Sequence, residues 1–102
     1  MGKMLVFSNA AEGRDDEFNK WYDEVHKGDV LSLEPFKSAK RYVVSQVPGL
    51  PDPAHRYLAI YEHEGPAKDA MESMMGAAAN FQMSDALGPD ALIVFVEDYE
   101  ES

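Results

Sequence analysis

The stretch Glu17 to Tyr42 reads EFNKWYDEVHKGDVLSLEPFKSAKRY. Its first half has the spacing of a helix. Phe18, Tyr22 and His26 stand four residues apart and share one helix face, with Trp21 and Val25 beside them. Asp15, Asp16 and Glu17 fall in the first turn, where negative charge suits the helix dipole. Lys27 followed by Gly28 reads as a stop. The helix is therefore predicted over Arg14 to about Lys27, with a further short turn over 29–33 before Pro35. From Phe36 the pattern changes to that of a strand, predicted to run to Val47.

Outward from this stretch, MLVFS (Met4 to Ser8) is short and rich in β-formers, so it reads as a first strand. PGLPDP (Pro48 to Pro53) combines three prolines and a glycine and reads as an exposed loop. RYLAIYEH (Arg56 to His63) is a third strand. Glu64 and Gly65 turn the chain, and Pro66 stands where a first-turn helix proline belongs. A second helix follows to about Ala79, with Ala67, Ala70, Met71, Met74 and Ala78 on one stripe. ALIVFVEDY (Ala91 to Tyr99) is a fourth strand. The order β-α-β-β-α-β predicts an α+β, ferredoxin-like domain spanning residues 1–102, with two helices on one face of a four-stranded antiparallel sheet.

The opposite sheet face has nothing in the chain to cover it. Yet Ala91 to Val96 is apolar without a break, and so is Tyr57 to Tyr61. A half-solvated sheet alternates instead. A homodimer that covers the helix-free face is the expected partner arrangement.

Composition bounds the function. With 102 residues the chain fits one domain, and 45% hydrophobic and 11% aromatic residues support a packed core. Nineteen acidic residues against nine basic give a net charge of -10. That charge, without a basic face, argues against nucleic acid and anionic membrane surfaces as partners. No apolar run approaches a membrane span. The absence of cysteine removes disulfides, thiolate metal sites and thiol nucleophiles. A soluble, cytoplasmic protein is expected. No HxH or HxxxH spacing points to a metal, no glycine-rich loop to a phosphate, and no GxSxG elbow to a serine nucleophile.

The segments FNKWYDEVH, EPFKSAKRY and RYLAIYE together resemble the dimeric α/β-barrel superfamily, and within it the EthD-like proteins. The resemblance covers Leu5 to about Glu64, and the element order extends it to Tyr99. It implies two ferredoxin-like subunits paired sheet to sheet, with a pocket between sheet and helices in each. Relatives of this kind include polyketide cyclases, small monooxygenases, haem-degrading enzymes and muconolactone isomerases. The cyclases resemble one another in using a pocket histidine assisted by a tyrosine, and the matching residue types here are His26 and Tyr22. The haem-degrading branch is a poorer match, because its tryptophan lies outside the first helix. One departure is Lys27-Gly28, which stands after His26 in place of a more apolar, proline-containing step.

His26 is the leading catalytic candidate, because its ordinary pKa lies near neutrality and suits general acid or base work. Its competing reading is a half-buried histidine favoured by the dipole at a helix C-terminus. Tyr22, one turn earlier, is the candidate partner that shares its proton or holds a substrate oxygen. Phe7, Trp21, Tyr42 and Tyr61 are the candidate substrate-binding residues. Phe18 and Tyr57 read as structural, His55 and His63 as solvated, and Met71, Met74 and Met75 as packing against the sheet. Which strand face lines the pocket is left open. The expected function is a small enzyme without a cofactor, of cyclase, isomerase or dehydratase type, acting on an aromatic or polyketide-like molecule by His-assisted proton transfer. A cofactor-free monooxygenase and a non-enzymatic dimeric small-molecule binder are the alternatives.

Overall fold

A computed structural model describes residues 2–100. The strands are β1 (Gly2–Ser8), β2 (Phe36–Val43), β3 (Tyr57–His63) and β4 (Leu92–Glu97). They form one antiparallel sheet in the order β2-β3-β1-β4. Helices α1 (Asp15–Trp21) and α2 (Lys27–Leu31) lie between β1 and β2, and α3 (Ala67–Ala77) lies between β3 and β4. This is the ferredoxin-like arrangement that the element order predicts.

Between α1 and α2 the residues Tyr22–His26 form a π-helical turn. The backbone stays in the right-handed helical region through Trp21, Tyr22, His26 and Lys27, so the three segments make one continuous rod. The turn has a cause in the sequence. Phe18, Tyr22 and Val30 are buried, and His26 faces a cavity on the same side. On an ideal α-helix each four-residue step drifts by about 40°, so three steps would carry Val30 about 120° off the face that Phe18 occupies. A π turn, with its i→i+5 bonding, takes up the extra residue and returns the stripe to one face.

The rod also runs past the predicted stop. Gly28 is helical rather than left-handed, and the helix ends at Leu31. A glycine there costs about 1 kcal/mol relative to alanine, less than the roughly 1.5–3 kcal/mol gained by burying Val30. His26 is consequently mid-rod, not at a helix C-terminus, and no helix-end dipole acts on it.

The sheet faces sort cleanly. Met4, Val6 and Ser8 on β1 and Tyr57, Ala59, Tyr61 and His63 on β3 are buried under the helices. Leu5 and Phe7 pair with Ile60 and Leu58 on the other face, which no helix covers. On β4 the same alternation puts Ile93 and Phe95 on the helix side and Leu92, Val94 and Val96 on the bare side. Strand β2 is shorter than predicted. It stops at Val43, ahead of the proline-rich loop. A register shift between Phe36 and Ser38 in its pairing with β3 carries Tyr42 to the bare face, opposite Leu58.

Two assignments change. His63 is fully buried, not solvated; its ring packs 5.9 Å from Phe36 and 6.0 Å from Phe95. It fits because Gly2 beside it has no Cβ, which would stand 2.6 Å from His63 Nε2. Met71 and Met75 are 39% and 80% exposed, so of the three helix methionines only Met74 packs against the core. Its helix, α3, buries Ala70, which leaves the β4 side of the molecule thinly covered.

Candidate functional site

The space between the sheet and the helices is not filled. A cavity of about 240 Å³ lies there. Its floor is Met4, Val6 and Ser8 of β1 with Tyr61 of β3. The rod supplies Trp21, Tyr22, His26 and Val30, and α3 with its following turn supplies Met74 and Ala78. Phe81, Met83 and Leu87 close it from the loop that leads to β4, and Ile93 lies at its rim. Four of the six candidate residues therefore meet here: His26, Tyr22, Trp21 and Tyr61. Phe7 and Tyr42 do not. Strand alternation points them to the helix-free face, across the sheet from the cavity.

His26 is held by rings. Trp21 stacks on it with centroids 4.7 Å apart and planes at 22°. Tyr22 and Phe81 stand edge-on at 4.9 and 5.8 Å. Its Nδ1 is buried with no hydrogen-bond partner. Burial lowers the pKa of His26, and Asp29 offsets this in part. The imidazole is therefore neutral at pH 7, with one nitrogen free to accept a proton.

Beside it the Tyr61 hydroxyl donates to the Tyr22 hydroxyl at 3.0 Å. Burial raises the pKa of both phenols, so both stay protonated. Tyr22 accepts from Tyr61 and keeps its own O–H to donate. The Arg41 guanidinium, which does not line the cavity, lies 4.4 Å from the Tyr22 ring centroid and favours charge on that phenol. Arg41 is itself fixed by Asn19 at 2.8 Å and Asp23 at 3.1 Å. Tyr57, read as structural, donates to Asp15 at 2.6 Å and ties β3 to α1.

The loop from Phe81 to Leu87 is the part that sequence patterns missed, because it has no periodicity. It is nevertheless pinned. The Trp21 indole donates to the Gln82 carbonyl at 2.8 Å, and the Gln82 N–H donates to Asp29 at 3.0 Å. Arg14 pairs with Asp85 at 2.7 Å, and Ala10 bridges to Leu87. Ser8, a buried hydroxyl on the floor, was also missed; a lone serine ending a strand carries no signal. Among the described residues no cluster of His, Asp or Glu is placed to hold a metal ion. No described helix is long and apolar enough to cross a membrane.

No protein-family model and no curated protein matches this sequence. Solved structures do match. An Arabidopsis thaliana protein superposes with a TM-score of 0.72 at 15% identity, covering 100% of this chain and 99% of that one. An ethyl tert-butyl ether degradation (EthD) family protein of Bacillus halodurans gives 0.60 at 11% identity, over 97% and 99%. The chain shares its ferredoxin-like fold with these proteins. A haem degrader of Mycobacterium tuberculosis, solved with two haems in its active site, gives 0.62 at 15% identity, over 100% and 99%. At these identities the likeness is one of fold, so the EthD-like resemblance holds for the architecture and leaves the reaction to be argued from the cavity.

Proposed function

We propose that the protein is a small enzyme that needs no cofactor and moves a proton on an aromatic or polyketide-like molecule bound between the sheet and the helices. The observation that carries this reading is the neutral His26, with Nδ1 buried and unpartnered, beside a Tyr22–Tyr61 hydroxyl pair in a largely apolar cavity. Loss of a proton from carbon next to a carbonyl needs a base near neutrality and a donor for the developing oxyanion. His26 takes the proton. Tyr22, oriented by Tyr61 and backed by Arg41, donates to the oxygen. The apolar walls keep water from competing for either group. His26 then returns the proton at another position, which gives isomerisation, ring closure by an enolate, or loss of water.

Proton transfer is measurable without knowing the product. Deuterium exchange at the carbon beside the carbonyl of 2-tetralone, followed by NMR in D₂O, should exceed the buffer rate and fall to it in His26→Ala. Equal exchange in both proteins across a panel of enolisable aromatic ketones overturns the reading. Oxygen uptake with dihydroxynaphthalenes would then favour the monooxygenase. Binding with neither exchange nor uptake would favour a carrier.

A further inference from the structure

We infer that the cavity selects an uncharged, flat ligand of one or two fused rings carrying a hydroxyl or carbonyl, and rejects carboxylates and tetrapyrroles. This rests on the cavity being the ligand site of the proposed enzyme, and it does not depend on catalysis.

Charge is the first observation. Among the described residues no Lys, Arg, Asp or Glu lines the cavity. Its ionisable groups are His26, Tyr22 and Tyr61, and burial drives all three toward their neutral forms. Arg41 does not line the cavity and is bonded to Asn19 and Asp23, so it offers an entering carboxylate no direct ion pair. A carboxylate entering this space would lose its hydration and meet no cation among the lining groups. The net charge of -10 adds a repulsive field along the approach.

Size and shape are the second. The cavity measures about 240 Å³. Benzene occupies an engineered cavity of about 150 Å³, and sites for drug-sized ligands start near 300 Å³. One or two fused rings lie between. Haem fits neither in size nor in charge, since its two propionates would find no partner among the lining groups. The flat stack of Trp21 on His26 and the edge of Phe81 offer aromatic walls. The hydroxyl pair Tyr22–Tyr61 and the half-buried His26 ring supply the polar contacts that fix a hydroxyl or carbonyl.

Calorimetric titration of the full chain at pH 8 with 2-naphthol and with 2-naphthoate separates the cases. Trp21 is the sole tryptophan, so the single indole N–H signal in an NMR spectrum reports whether the ligand sits in this cavity. Naphthol should bind, shift that signal, and be at least about tenfold tighter than naphthoate. Haem should leave the signal in place and fail to displace naphthol. Met83→Lys adds a cation to the lining at a position 56% exposed, where folding tolerates it. It should narrow or invert the naphthol-to-naphthoate ratio by about tenfold. Equal binding of the two probes, no binding of naphthol, or displacement of naphthol by haem overturns the inference. Neutral-selective binding in a protein without proton exchange would instead sink the proposed reaction and leave the ligand class standing.

Discussion

His26 is the residue on which the chemistry turns, and its burial has a pH consequence of definite sign. The folded-state pKa lies below the ordinary value near 6.5, because burial disfavours the imidazolium. Between the folded and unfolded pKa values the unfolded chain binds more protons, so stability rises with pH through that window. Put the other way, His26 costs nothing above pH 6.5 and destabilises the fold progressively as pH falls below it. Urea titrations at pH 5 and pH 7.5 should therefore show a larger loss in wild type than in His26→Gln, which cannot titrate. Activity, where the neutral base is needed, should fall with one ionisation at the folded-state pKa, at the lower end of that window. His26→Ala and His26→Gln should both lack turnover, and a retained circular dichroism spectrum would separate that from unfolding. That His26, Tyr22 and Trp21 lie together was legible in the sequence because they share a helical spacing; Tyr61, on β3, was a candidate by residue type alone. Phe7 and Tyr42 were misplaced because two-residue alternation says that a strand has two faces but not which one lies under the helices. The shift in β2 pairing that carries Tyr42 away leaves no trace in the local pattern.

At the scale of the element, the π turn over Tyr22–His26 reconciles a four-residue sequence period with a helix that prefers 3.6. The stripe was visible in the sequence; the unwinding that keeps it on one face was not, since a four-residue spacing also reads as an ordinary α-helical face over two steps. Deleting Glu24, which is exposed, should let the rod close into a continuous α-helix. The deletion removes the extra residue that the π turn takes up. Phe18 and Val30 are then eleven residues apart, and eleven steps of about 100° still leave Val30 within about 20° of the Phe18 face. Both should therefore stay in the core. Glu24→Ala should likewise change stability by no more than about 0.5 kcal/mol, as for other surface positions. Chemical denaturation of the two variants side by side measures the turn itself, because the same side chain is removed in both. A deletion that costs about 1.5–3 kcal/mol more than the substitution, as when an apolar side chain leaves the core, would mean that the π turn does not hold the stripe in this way.

For the molecule as a whole, the open question is what covers the helix-free face. Leu5, Phe7, Leu58, Ile60, Val94 and Val96 share it. Leu92 and Val96, 49% and 39% exposed, sit at its edge strand. A contiguous apolar surface of this kind marks an interaction site. A second copy is the expected occupant, since a face this apolar along strands of the ferredoxin-like domain would otherwise remain in water. An obligate interface should bury at least about 1,500 Å² in total. Neighbours on β4 provide the control, because Val94 and Phe95 point to opposite faces. Phe95 packs against the core and lies 6.0 Å from the His63 ring, so Phe95→Glu buries an unpaired charge and should prevent folding. Val94→Glu puts the charge on the bare face instead. It should leave the circular dichroism spectrum and the cavity intact and shift the mass from light scattering to that of one chain. If wild type itself scatters as a monomer in dilute buffer, the face is solvated and the dimer is excluded. If Val94→Glu unfolds as Phe95→Glu does, the subunit has no independent stability, and association and folding are one event.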